Sequence, residues 1–489
     1  MPDWKKRVPW AILASLFLFG ALWAMDFPDP MADDLFYSGA SLNLAKGGDL
    51  SNPLLARQHF PGHLFLIYPP VHPYVEAWWL KVFGISAASI TGFQALMYVI
   101  IAAATILYLR RQGAPVWLEW LAPLGVMTAF LSNGLRPEAL AVALTMAGLA
   151  VVECSAGGII AVFAGYFLMA LGAATAPRVT LFSGVLMLFA GRNCWHAARK
   201  GIQDLTGFFA ALFAGVLVAF LFFLWLLDFH LGDFWHAFRY YAVLVDSSKF
   251  LYLYRYYKIY VGTTQLPVFP LAFALLLLAW RGPWTPMKWL GALLIATLLP
   301  LFLIGGLGNG TIWFVFLSAL ALAAQLSQNS PARSRTVILA SVLAVVALFA
   351  NFKTLMHITG IVSGEIKSTP GRRLSEAQAL SATPEHAILV DQFTARYVFD
   401  YRIPEGFIYY PYAMPFPKSM AILPQSLLPG DICILSPASV ESLNQGHLLD
   451  LPVTVWNPGL KRWSFYREPR EVYIIHANEL RLPQKAAHD

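Results

Sequence analysis

The chain has 489 residues, of which 58% are hydrophobic, 15% aromatic and only 12% charged. Ordinary soluble domains carry about 25% charged residues, and a mean hydropathy of +0.59 leaves a soluble globule too little polar surface to cover itself. Disorder is excluded as well, because disordered chains are polar and poor in aromatics. The composition is that of a polytopic membrane protein. Its net charge of +7 then has to be mapped to one side of the membrane before it says anything about partners. Cys154, Cys194 and Cys433 are odd in number and widely spread, so they form neither a disulfide framework nor a zinc motif.

A spanning helix needs about 20 mostly apolar residues. The first stretch is 8–25, which follows Lys5, Lys6 and Arg7 and reads as an uncleaved first helix. Others run over 87–109, 116–132, 137–153, 157–173, 179–192, 206–227, 265–280, 287–304, 311–326 and 336–352, giving eleven predicted spans. With the N-terminus inside, the inside loops collect Arg110 and Arg111; Arg192, Arg199 and Lys200; Arg281 and Lys288; and Arg333 and Arg335. Only the inside loop near Cys154 lacks a basic residue, while the short outside turns hold just Arg136 and Arg178. This alternation follows the positive-inside rule.

Eleven spans place the C-terminus outside, where 375–489 is expected to form a small α/β domain beyond a transmembrane domain of 1–353. Its strands are predicted at 387–390, 407–410, 431–435, 453–456 and 471–476, with a short helix over 437–445. Two outside loops, 26–86 and 228–264, are too long to be simple connectors.

The first of these loops begins with Asp26, Asp29, Asp33 and Asp34 at the membrane surface. Solvated loop acids are the plain reading; partly desolvated carboxylates with raised basicity are the functional one. Residues 34–46 have helical spacing, Pro69 and Pro70 break the chain, and Tyr74, Trp78 and Trp79 suit a helix lying in the interface. In the second loop, Arg239, Lys249, Arg255 and Lys258 alternate with tyrosines. That pattern is either an aromatic belt at the headgroups or a loop that clamps a lipid phosphate. In the second case Arg255 and Lys258, three apart, share a helical face.

The order of motifs is distinctive: Asp33-Asp34 with Tyr37, Lys46-Gly47-Gly48, Tyr68-Pro69-Pro70, Lys81-Val82-Phe83-Gly84, then Arg136-Pro137-Glu138. In order and sidedness this resembles the GT-C glycosyltransferases, nearest to bacterial relatives of the protein O-mannosyltransferases and of the lipid A aminoarabinose transferase. The motifs cover residues 1–200, and the remainder matches in layout. Tyr68 stands where relatives often place Lys or His, with His72 beyond it, and Asp34 stands where many carry Glu.

The resemblance implies an inverting transfer of a hexose or pentose from a polyprenyl-phosphate donor to an envelope acceptor (lipid, polysaccharide or protein). The reaction would take place on the outer face of a bacterial plasma membrane. It implies Asp33 as general base, with Asp34 orienting it, binding sugar or holding a metal, and Glu138 sharing that task. Magnesium, manganese or calcium would suit oxygen ligands at Asp34 and Glu138. Arg136, Arg178, Arg255 and Lys258 would meet the donor phosphate, and Tyr37, Tyr68 and His72 would line the acceptor or sugar cavity. Snorkelling to headgroups is the plain reading of Arg136 and Arg178. Two rival expectations are a transporter or flippase, although no internal repeat is visible, and a non-catalytic subunit of the same fold.

Overall fold

The computed structural model describes residues 10–25, 27–28, 32–52, 64–66, 68–131, 135–155, 158–198, 202–245, 267–280, 283–298, 309–329, 333–363 and short stretches of the C-terminal 126 residues. Among them the helices are α1 (Trp10–Ala24), α2 (Ala32–Ala45), α3 (Val71–Phe83), α4 (Ala87–Arg111), α5 (Val116–Phe130), α6 (Pro137–Cys154), α7 (Ile159–Thr175), α8 (Pro177–Ala198), α9 (Ile202–Leu226), α10 (Leu231–Val245), α11 (Val268–Trp280), α12 (Pro286–Ala296), α13 (Asn309–Asn329), α14 (Arg333–Ala350) and α15 (Phe352–Val362).

Each predicted apolar stretch falls on one of these helices. Ala88–Arg111, Pro137–Cys154, Leu205–Leu226 and Thr311–Gln328 are long and apolar enough to cross a membrane, and α14 with α15 would make a fifth as one bent span. Helices α1, α5, α7, α8, α11 and α12 are apolar but shorter. At 1.5 Å per residue, a helix of 15 residues such as α5 falls short of the hydrocarbon thickness of roughly 30 Å. The run of apolar residues therefore marks more spans than helix length alone does.

Local chemistry sets the helix boundaries. The Ser86 hydroxyl accepts the Ser89 N–H to start α4, and Thr285 caps α12 ahead of Pro286. Arg136 has extended backbone immediately before Pro137, the first residue of α6, where a proline loses no helical hydrogen bond.

Helix α13 is the centre of the bundle, with Trp313, Phe314, Phe316 and Leu320 fully buried. Gly125 of α5 and Gly291 of α12 abut Phe316 and Leu322 so closely that a Cβ would not fit. Likewise Gly148 of α6 and Gly165 of α7 each pack on the other's backbone. Such small residues let helices approach where lipid provides no hydrophobic drive. The outer faces carry Phe17, Phe213, Leu217, Trp225, Leu277 and Phe349, all exposed. Exposed apolar surface on this scale needs lipid around it, so this is an integral membrane protein.

The helix ends sort into two sets. Gln328 of α13 donates to the Gln112 and Gly113 carbonyls after α4, and Gln112 donates to Glu153 near the end of α6. At the other end Trp23 of α1 donates to Ala88 at the start of α4, and Arg178 of α8 meets Glu138 of α6. These are the groupings that the inside and outside loops of the sequence require.

Near the C-terminus five strands, β1 (Ile388–Val390), β2 (Ile408–Tyr409), β3 (Ile432–Leu435), β4 (Thr454–Trp456) and β5 (Val472–His476), form one sheet in the order β2-β1-β3-β5-β4. Each lies within one of the alternating runs of the sequence. Strand β1 pairs in parallel with β2 and β3, while β5 is antiparallel to β3 and β4. Cys433 and Ile475, which are register partners, are both buried. Of the predicted helix 437–445 only Val440 is described, and it is helical.

Candidate functional site

The segment between α1 and α4 folds into α2 and α3, which pack on each other at the end of the bundle that the basic loops of the sequence assign to the outside. One apolar cluster joins Tyr37 and Leu42 of α2, Val71 and Leu80 of α3, Leu135 just before α6, Leu171 of α7 and Leu227 after α9. Helix α2 approaches α3 along a buried face of small residues, Ser38, Ala40 and Ser41. Gly39 leaves no room for a Cβ against the Asn52 side chain.

Asp33 and Asp34 are the second and third residues of α2. The positive end of a helix dipole favours a carboxylate at such positions. Their side chains lie outside the described residues, as do Asp26, Asp29, Lys249, Arg255 and Lys258. Arg239 lies on α10, exposed. Tyr37, one turn after Asp33, is buried and meets Tyr68 edge-on with ring centroids 4.9 Å apart. Tyr68 sits where the chain turns through Pro69 and Pro70 into α3.

The Arg-Pro-Glu triplet opens α6 at the same end. Glu138 is fully buried, and its Oε1 faces Arg178 Nη1 at 3.4 Å. Its Oε2 has no hydrogen bond among the described residues. Arg178, the second residue of α8, therefore reaches the acid that the sequence pairs most readily with neighbouring Arg136. Arg136 is half-buried, one residue from Leu135 of the apolar cluster.

Inspection of the sequence for acids at the membrane surface passes over Glu76. It lies on α3 one turn after His72, and both are fully buried. Ser38 Oγ of α2 donates to Glu76 Oε1 at 3.4 Å, and Glu76 Oε2 lies 3.8 Å from His72 Nδ1. Burial pushes the Glu76 carboxyl up to about 7, an effect partly offset by the Ser41 and Ser38 hydroxyls. Burial also lowers His72 to about 3. The pair that spacing would make an ion pair is thus a neutral imidazole beside a carboxyl that titrates near neutral pH. His72 faces the Phe93 ring of α4 and is closed off from solvent.

A signal for Glu76 was available. Val71, His72, Pro73, Glu76, Ala77 and Leu80 form the buried face of α3, so the acid falls at a core position of the helical repeat. Trp78 is exposed. Trp79 turns inward, donating to the Ser89 carbonyl. Tyr74 is half-buried, its phenol pushed up by burial and by the nearby Asp228 and Asp49 carboxylates.

Among the described residues no three His, Cys, Asp or Glu side chains gather as a metal site. Glu138 offers one oxygen, the other being engaged with Arg178, so the described side chains do not by themselves make a cation site.

Comparison of the sequence with family profiles and with curated proteins gave no significant match. The structure is similar to that of ArnT from Cupriavidus metallidurans in the apo state, with a TM-score of 0.49 at 16% identity, covering 96% of this chain and 98% of that chain.

Proposed function

We propose that the chain is an inverting glycosyltransferase that moves a hexose or pentose from polyprenyl phosphate to an envelope acceptor at the outer surface of a bacterial plasma membrane. The observation that carries this reading is the convergence at one end of the bundle. The helix that carries Asp33-Asp34 and Leu135, the residue before Arg136-Pro137-Glu138, join one apolar cluster, and Arg178 meets Glu138.

In this reading an acceptor hydroxyl attacks the sugar's anomeric carbon. Asp33 takes the hydroxyl proton, the bond to the phosphate oxygen breaks, and polyprenyl phosphate leaves with the electron pair. Arg136 and Arg178 meet the charge that the phosphate gains, with Arg255 and Lys258 assisting from the second outside loop. Asp34 orients Asp33 or contacts the sugar. Residues 375–489 form an outside domain that contacts the acceptor or braces the loops. No step is routed through a metal.

Purified protein in vesicles, given a labelled polyprenyl-phosphate sugar and extracted envelope acceptors, should release polyprenyl phosphate and label the acceptor. Label that crosses the bilayer still attached to its lipid, with no acceptor labelled, would make the chain a flippase instead.

A further inference from the structure

Helices α3 and α10 each turn one face inward and leave the other uncovered. Ala77 and Leu80 of α3, with Phe234 and Ala237 of α10, belong to the apolar cluster that also holds Tyr37 of α2. On the opposite side of α3, Trp78 is 65% exposed, and Lys81 and Val82 are exposed beside it. On α10, Trp235 is 62% exposed, and Leu231 and Arg239 are exposed one turn before and one turn after it. The two helices repeat one arrangement: an exposed tryptophan, an exposed aliphatic residue one turn away, and an exposed cation three or four residues further on. Residues at that spacing share a helical face. Gly232, Asp233 and His236 give α10 a polar flank beside it.

Neither helix is among those long and apolar enough to cross a membrane, nor among the shorter apolar ones. A helix with an apolar flank, a polar flank and a cation between them suits the headgroup plane. The exposed face of α10 also continues a lipid-facing surface. Leu217, Leu221 and Trp225 are exposed along α9. From there a turn with left-handed backbone at Asp228 and Phe229 (φ 47° and 62°) leads into α10, and Phe229 is exposed within it. Indole rings favour the level of lipid headgroups. A lysine or arginine beside them lays its stem on apolar surface and puts its charge among the phosphates.

We propose that α3 and α10 form a phospholipid-binding surface in the outer leaflet. Trp78 and Trp235 sit at headgroup level, Val82 and Leu231 dip among the acyl chains, and Lys81 and Arg239 each hold a lipid phosphate. The inner faces of the same helices pack with α2, so bound lipid supports the helix that carries the acid pair. That seating is the same whether or not the chain transfers sugar.

Two measurements on the full chain test the surface. Spin labels at Val82→Cys, Leu231→Cys and Asp233→Cys, each with Cys154, Cys194 and Cys433 replaced by Ser, are compared in phosphatidylglycerol nanodiscs. Relaxation at Val82 and Leu231 should be enhanced more by oxygen, which concentrates in lipid, and at Asp233 more by a water-soluble nickel chelate. Titration of the solubilised protein with phosphatidylglycerol, read by native mass spectrometry, should show affinity roughly fivefold lower when Lys81→Gln and Arg239→Gln are combined. Lys81→Arg with Arg239→Lys should keep that affinity, and diacylglycerol of the same chains should bind all three proteins alike.

Nickel-dominated relaxation at Val82 or Leu231 would put that face in water, and protection from both agents would mean that protein covers it. Either result overturns the surface. Unchanged phospholipid affinity in the double glutamine variant, or an equal loss of diacylglycerol, overturns the phosphate contact.

Discussion

At the end of the bundle that the basic loops assign to the inside, Arg110 Nε donates to Glu119 Oε1 at 2.7 Å, whereas at the opposite, outer end Arg178 Nη1 stands 3.4 Å from Glu138 Oε1. The first distance is that of a charge-assisted hydrogen bond and the second is beyond it. Around the inner pair Gln328 bonds two carbonyls, Gln112 bonds Glu153, and Lys288 Nζ donates to the Trp280 carbonyl at 2.8 Å. Around the outer pair Glu138 Oε2 and both nitrogens of His72 have no hydrogen bond among the described residues. Orphan atoms occur at the inner end too, such as Gln325 Nε2, so the contrast lies in the contacts that are made. Inner side chains use their charge on one another and on backbone, as clamps do. The outer pair is more widely spaced and includes a half-buried arginine.

The largest effect that sharpens this contrast is expected at Arg136. Removing a charged partner of a buried anion costs about 2–5 kcal/mol, or roughly 30- to several thousand-fold. Arg136→Ala should therefore weaken donor saturation far more than it lowers protein abundance. Wild-type saturation in the folded variant would reassign Arg136 to headgroup snorkelling. Arg255→Ala and Lys258→Ala should each do less, because neighbouring cations on one loop substitute for each other.

Next in size is the comparison of the two pairs. Both arginines are partly exposed, so breaking either pair should cost less than the roughly 3–5 kcal/mol of a fully buried one, and the closer, less exposed inner pair should cost more than the outer. Arg110→Met should lower thermal stability more than Arg178→Met, while Arg178→Met alone should impair donor use. Equal losses of stability, with donor use intact in both, would erase the distinction between clamp and site.

The smallest effect concerns pH. Glu76 is raised from 4.5 to about 7 in the folded chain, so on its own it makes stability fall as pH rises through that window. His72 is lowered from 6.5 to about 3, so it makes stability fall as pH drops through its own window. Between pH 4.5 and 6.5 the slopes oppose, because folding moves one proton from imidazole to carboxyl and exchanges none with solvent. Their joint contribution there should be flat. His72→Gln should leave the Glu76 slope alone, about tenfold in the folding equilibrium per pH unit with stability greater at the acid side. Glu76→Gln should tilt the other way. Denaturation of the three proteins across that window checks both signs.

The same contrast explains what could be read from the sequence. Apolar runs and basic loops mark the helices and group their ends because lipid imposes composition on every spanning residue. The five strands follow from alternation. Asp33, Asp34, Arg136, Glu138 and Arg178 are visible as charges at helix starts, where charge is rare. The partner of Glu138 is not visible, since Arg136 is near in sequence and Arg178 is near only in the fold. Glu76 is masked for a different reason. Its neighbours Tyr74, Trp78 and Trp79 give α3 the composition of an interfacial helix, which hides that Glu76 shares a helical face with His72, Ala77 and Leu80, the face that α2 covers.

The most direct measurement is steady-state transfer of labelled sugar from polyprenyl phosphate by the intact protein and by Asp33→Asn, with donor binding measured alongside. A general base contributes about 10²–10⁴-fold, and asparagine keeps the shape while removing the basic oxygen. Asp33→Asn should bind the lipid donor, remain inserted in the membrane and lose turnover by that factor. Turnover above about a tenth of that of the unaltered protein, less than the loss expected on removing a general base, would show that Asp33 is not the base. Full activity in Asp33→Asn, Asp34→Asn and Glu138→Gln alike would contradict the account of the outer end as a sugar-transfer site.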